Sequence, residues 1–183
     1  MAEYQILIAG FGGQGLLFSG KVLAYAGLLE GKQLSWLPSY GPEMRGGTAN
    51  CHVVLSSAPV GSPVFTYPTE LIAMNAPSID KFGEKVRSGG LVLINSSVVS
   101  QKFERADVKT VYVPCEDIAY ELGNPKVANM VMLGAYIGAT GALKVETIQE
   151  MIHEMFTGKK AKLVPLNLEA LQRGIQCARE QLA

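Results

Sequence analysis

Gly10-Phe11-Gly12-Gly13-Gln14-Gly15 stands directly behind the apolar run Tyr4-Gln5-Ile6-Leu7-Ile8-Ala9 and ahead of the helix-forming stretch Leu16 to Glu30. A buried strand, a tight glycine turn and a helix opening at the turn make the first βα unit of a doubly wound sheet. The glycines divide the work: one makes the turn, one lets a ligand approach the backbone, and one lets helix and strand pack closely. The helix start adds unpaired N–H groups and a positive dipole end, which suit an anion. Gly10, Gly12, Gly13, Gln14 and Gly15 are therefore candidate ligand-binding residues.

Working outward, the pattern predicts a strand at 4–9 and a helix over about 14–30, with Leu16, Leu17, Gly20, Leu23, Ala24 and Gly27 on its buried face. Gly15 to Lys21 resembles a phosphate-binding GxxxxGK[ST] loop. However, Val22 stands where that loop needs Ser or Thr, and Gly20-Lys21 falls inside the helix. A second strand is expected at 33–37. The region after it reads Leu37-Pro38-Ser39-Tyr40, without the acid that would bond a nicotinamide cofactor's ribose; Glu30 is the one candidate, and it precedes the strand.

Next comes Ser39-Tyr40-Gly41-Pro42-Glu43-Met44-Arg45-Gly46-Gly47-Thr48. Gly41-Pro42 and Gly46-Gly47 enclose a loop with one acid and one fixed positive charge. It follows the second strand, at the same carboxyl edge as the glycine turn. Arg45 offers a planar five-donor fork for phosphate or carboxylate. Two readings stand for Tyr40, Glu43, Arg45, Gly46 and Gly47: a loop that closes over a ligand, or a structural turn or intersubunit contact.

Thr48 to Ser56 alternates and reads as a half-buried strand with Cys51 as a core thiol and His52 on the opposite face. Further strands are expected at 70–74, 90–95 and 109–113, with a helix from Asn75 to about Val86. Asn75 reads as a turn-shaping residue. The last third is helical: Val127 to Gly141 carries Gly134 and Gly138 on one face for close approach by another element. Ile148 to Phe156 and Leu168 to Leu182 form two further helices. Asn129 is a candidate polar contact or a helix-start residue. His153 reads as packed or solvated, and Lys159, Lys160 and Lys162 as a solvated loop that could also meet a phosphorylated ligand. The fold class is α/β, Rossmann-like: a doubly wound, mainly parallel sheet with helices on both faces and a helical C-terminal third, in a single domain over 1–183.

Composition narrows the function. Sixteen Lys+Arg against 16 Asp+Glu leave no basic surplus for nucleic acid, and 48% hydrophobic against 17% charged residues suits a subunit that buries surface against partners. No stretch reads as a membrane span and no basic leader precedes the first strand. Cys51, Cys115 and Cys177 are widely spaced, too few for a four-cysteine cluster, and read as reduced thiols of a cytoplasmic protein. No catalytic motif or metal-ligand set appears.

Together, GFGGQG after the first strand and SYGPEMRGG after the second resemble the gamma subunit of the 2-oxoacid:ferredoxin (acceptor) oxidoreductases. The form Tyr40 to Gly47, followed by Thr48-Ala49-Asn50-Cys51, most resembles the 2-oxoglutarate branch. The resemblance implies oxidative decarboxylation of a 2-oxoacid to its acyl-CoA, with electrons passed to ferredoxin or a similar acceptor. Thiamine diphosphate and iron–sulfur clusters would sit on alpha and beta partner chains, with or without a ferredoxin-like delta subunit. This chain would be a non-redox subunit that helps bind coenzyme A and has no catalytic residue; when isolated it is open to forming a homodimer. Two other classes remain: a free-standing oxidoreductase using FAD or NADP, and a purely structural chain without ligand.

Overall fold

The first strand, β1 (Glu3–Gly10), is apolar on both sides because both sides are covered. Ile6 and Ile8 point into the main core, whereas Leu7 and Ala9 point into a smaller core on the opposite face of the sheet. The structure is a computed structural model that describes residues 3–39 and 49–183. After β1 come α1 (Leu16–Leu29), β2 (Gln33–Ser39), β3 (Ala49–Ser56), β4 (Glu70–Ala73) and α2 (Ala76–Phe82). Then follow β5 (Leu91–Asn95), β6 (Lys109–Val113), α3 (Cys115–Glu121), α4 (Ala128–Thr140), α5 (Val145–Met155) and α6 (Val164–Leu182).

The strands form one sheet in the order β2-β3-β1-β4-β5-β6. β1, β4, β5 and β6 run parallel, while β3 is antiparallel to both β1 and β2. The mainly parallel sheet is therefore present, but β3 is inserted between the two strands of the first βαβ unit. This insertion corrects the expectation that β3 is half-buried. Cys51, Val53 and Leu55 enter the main core, and Val54 on the other face is also buried. His52 alone is half-buried, its ring edge-on to Phe65 with centroids 4.6 Å apart. Phe65 belongs to the segment that returns from β3 to β4, and it covers the face the alternation had assigned to solvent. β2 runs on through Pro38 and is an edge strand, where a missing backbone donor is tolerated.

Helices cover both faces, unequally. α1, α3, α4, α5 and α6 contribute to the main core. The opposite face is covered by α2, through Ile79 and Phe82, and by Phe65 and Phe103. The small residues of α4 perform the role the sequence suggests. Gly134 lies against the Leu171 carbonyl of α6, Gly138 against that of Ile175, and Gly174 of α6 against that of Val131, so the two helices cross backbone to backbone. Cys51 is wholly buried, and burial pushes its thiol up to about 12, which leaves it an inert core group. Among the described residues, no helix is long and apolar enough to cross a membrane.

One buried acid stands outside this apolar scheme. Glu70 opens β4 at 8% exposure, and its Oε2 accepts a 2.6 Å hydrogen bond from the Thr69 hydroxyl. Burial pushes the carboxyl up to about 7, against the opposing pull of the Thr69 hydroxyl and the Arg87 charge. The folded value is above the ordinary one of 4.5, so its contribution to stability is fully present below pH 4.5 and is lost as pH rises through 7. Urea unfolding should show the wild type losing roughly 3 kcal/mol relative to Glu70→Gln between pH 4.5 and 8. A stability difference independent of pH would refute this account of Glu70.

Candidate functional site

The chain leaves β1 for β2 on one side and later resumes at β4 on the other, so the strand order reverses between β1 and β4. Such a reversal opens a crevice at the carboxyl ends of the strands. The glycine turn lies at this point. Gly13 and Gly15 have φ of 90° and 76°, left-handed conformations that glycine adopts without strain. Gly15 is also the N-cap of α1, which has no side-chain cap and no acid in its first turn. The first N–H groups of this helix are thus left for an incoming acceptor.

The turn is locked from inside by Gln14. Its Oε1 accepts from the Phe11 N–H at 2.7 Å, and its Nε2 donates to the Met74 carbonyl at the end of β4 at 3.0 Å. The Met74 N–H in turn donates to the Ala9 carbonyl at 2.8 Å. Gln14, read from sequence as a ligand contact, has both ends of its amide engaged in holding β1, the turn and β4 together. Gly10 and Gly15 are likewise packing positions. A β-carbon on Gly10 would lie 2.5 Å from the Gln14 Oε1, and one on Gly15 would lie 2.5 Å from the amide nitrogen of Asn129, in the first turn of α4. Gly12 and Gly13 differ: among the described residues, a β-carbon on either would meet nothing within 4 Å. They face a shallow cavity of about 270 Å³ walled by Phe11, Leu17, Phe18 and Ala49.

The register brings the second motif to the same place. Gly10 pairs with Ala49, and Asn50 pairs with both Ala9 and Ser39. The end of β2 at Ser39 and the start of β3 at Ala49 therefore lie at this end of the sheet, and Ala49 itself walls the cavity. Tyr40, Glu43, Arg45, Gly46 and Gly47 themselves lie outside the described residues. Other candidates are resolved by their contacts. Asn75 caps α2, its Oδ1 accepting from the Ser78 N–H at 3.0 Å. His153 is exposed on α5. Gly20 is buried within α1 against Trp36 and Cys51, and the Lys21 ammonium lies 5.5 Å from the Tyr25 ring, so neither reaches the turn. Glu30 accepts from the Lys144 N–H at 2.7 Å and serves the start of α5.

Sequence reasoning missed Phe18 and Lys126. Phe18 separates the cavity at the turn from a second one of about 300 Å³, on whose wall Lys126 and Lys160 stand. Three segments far apart in sequence assemble this second cavity, and no local pattern announces it.

A family model described as pyruvate ferredoxin/flavodoxin oxidoreductase matches residues 5–177. The chain is similar to the ketoisovalerate oxidoreductase subunit VorA of Methanothermobacter thermautotrophicus, with 44% identity over 182 residues, 98% of this chain and 37% of that one. It thus spans little more than a third of that relative's length. It is also similar to the 2-oxoglutarate synthase subunit KorC of Methanocaldococcus jannaschii, with 34% identity over 180 residues, 96% of this chain and 94% of that one. The crystal structure of the gamma subunit of a keto/oxoacid ferredoxin oxidoreductase from Geobacter sulfurreducens PCA superposes with a TM-score of 0.83 at 30% identity. That match covers 96% of this chain and 98% of the other.

The division of labour among the glycines is measurable. Gly15→Ala should cost about 1–2 kcal/mol from its left-handed backbone alone, with a further loss from Asn129. Gly12→Ala, whose new methyl group meets open space, should leave the urea midpoint essentially unchanged. Equal losses at both positions would show that the turn has no free outer face.

Proposed function

The chain belongs to the pyruvate ferredoxin/flavodoxin oxidoreductase family, and from that membership we propose that it is the gamma subunit of a 2-oxoacid:ferredoxin oxidoreductase of the cytoplasm. The reaction is the oxidative decarboxylation of a 2-oxoacid to its acyl-CoA, with electrons passed to ferredoxin. The observation that supports the site assignment is the outer face of Gly12 and Gly13, free among the described residues, at the strand-order reversal and above an uncapped helix start. Backbone N–H groups there suit a phosphate of coenzyme A. Arg45, with Tyr40, Glu43, Gly46 and Gly47 of the same motif, contacts the same ligand or the alpha or beta chain.

The redox groups do not fit this chain. Cys51 and Cys115 are buried among apolar side chains with thiols pushed up by that burial, and Cys177 is the third of three. They cannot supply the four thiolates of an iron–sulfur cluster, and the family resemblance assigns the clusters and thiamine diphosphate to partner chains. This subunit's part is to bind and orient coenzyme A and to hold the assembly. The motif around Tyr40 to Gly47 favours 2-oxoglutarate, whereas the VorA relative bears the name of ketoisovalerate. Both substrates, together with pyruvate, belong in the assay.

The test is purification of the complex through a tag on this chain, followed by coenzyme A-dependent viologen reduction with the three oxoacids. Arg45→Ala should raise the apparent KM for coenzyme A by about 10-fold or more, as expected for loss of a charge-assisted contact, with the complex intact. Dissociation of the complex by Arg45→Ala would make the loop an interface element. A chain that purifies alone, without oxoacid activity, would sink the subunit reading.

A further inference from the structure

The glycine turn lies at the carboxyl edge of the sheet. At the opposite edge, where β1, β4, β5 and β6 begin, lies a third cavity, of about 400 Å³. That volume falls within the range of small-molecule sites. Tyr4 and Leu91 make the apolar part of its wall, with Ala139 at the end of α4. The polar groups around it separate by sign, negative within and positive at the mouth.

The inner group is Glu70, the buried acid at the start of β4. The Thr69 hydroxyl occupies its Oε2, whereas its Oε1 has no hydrogen-bond partner among the described residues. Helix α4 ends at the same wall. No backbone N–H of the described residues donates to the Ala139 or Thr140 carbonyl, and these last carbonyls carry the negative end of the helix dipole. The Tyr136 hydroxyl of α4, wholly buried and also without a partner among the described residues, lies within reach of the Glu70 charge. A buried carboxylate oxygen beside unpaired carbonyls is costly alone and favours a cationic hydrogen-bond donor.

The mouth has the opposite character. Arg87 and Lys109 are exposed there, and neither forms an ion pair among the described residues. Gln5 fixes the guanidinium, its Oε1 accepting from Arg87 Nη2 at 2.7 Å, and its Nε2 donates to Glu3 Oε1 at 2.7 Å. Glu3, the acid at the mouth, is thereby engaged. Arg87 acts on Glu70 through its charge without pairing with it, which leaves a gap between the two for a small bipolar ligand.

We propose that this cavity binds an α-amino acid with an apolar side chain. The ammonium group sits on Glu70 and the carbonyl end of α4, the carboxylate on Arg87 and Lys109, and the side chain against Tyr4 and Leu91. A simple carboxylic acid would be repelled by Glu70, and a simple amine would leave Arg87 and Lys109 unused. The proposal is independent of the coenzyme A reading, because it concerns the other edge of the sheet.

The experiment is titration calorimetry of the full chain at pH 8 with L-valine, 3-methylbutanoate (valine without its ammonium group) and isobutylamine (valine without its carboxylate). L-Valine should bind about 10-fold or more tightly than either analogue. Glu70→Gln should weaken L-valine by a similar factor and bring it level with 3-methylbutanoate. Arg87→Ala, a change at an exposed position, should bring L-valine level with isobutylamine. Because burial pushes the Glu70 carboxyl up to about 7, wild-type affinity for L-valine should fall about 10-fold from pH 8 to pH 6 as the carboxylate takes a proton. Glu70→Gln should abolish that fall. A wild-type chain that binds no L-valine, equal binding of either analogue, or binding that both variants leave unaltered would overturn the site. Tighter binding of L-glutamate than of L-valine would overturn the apolar side-chain assignment. The subunit reading is judged separately, by oxoacid activity of the complex.

Discussion

At the carboxyl end of the seam between β1 and β4, one side chain ties the strands to the turn. Gly10 leaves no room there for a β-carbon, and the Gln14 amide fills the space beneath the turn, bonding the Phe11 N–H and the Met74 carbonyl. A neutral amide is suited to this because it offers a donor and an acceptor from one planar group. Its two bonds fix where α1 begins relative to β4. The position of α1 then sets how Asn129 meets Gly15, and so how α4 and the helical layer sit on the sheet. Among the described residues, the inner face of the turn is closed and the outer face is open.

The second shaping feature is β3. By entering antiparallel between β1 and β2, it gives the sheet a centre buried on both faces and pushes β2 to the edge. It also turns the chain round at the carboxyl edge. Ser39 of β2 and Ala49 of β3 therefore both lie at the end of the sheet where β1 terminates in the glycine turn.

What could be read in the sequence was what depends on local chemistry. The β1–turn–α1 unit follows from an apolar run, glycines and helical periodicity, and its bounds fall within two residues of expectation. The α4 glycines announced a close approach because small residues four apart share a helix face. The strand order was not legible, because pairing Ile6 with Val53 or with Glu70 is settled by tertiary packing. The burial of β3 was misjudged for the same reason: alternation says nothing about Phe65 returning over the second face. Gln14 was identified as important, but its inward hydrogen bonds required coordinates. Phe18, Lys126 and Lys160 meet only once α1, α4 and α6 are in place.

The inserted strand also bears on how the chain is made. β1 leaves the ribosome before the strands it pairs with, residues 49–56 and 70–73. At ordinary translation rates Ile6, Leu7 and Ile8 wait on the order of several seconds for a neighbour. During that interval the apolar run Ile6 to Ala9 has two free edges. The nascent chain therefore passes through a stage in which α1 can form but cannot dock, and the site's glycine turn is assembled only after β4 has emerged.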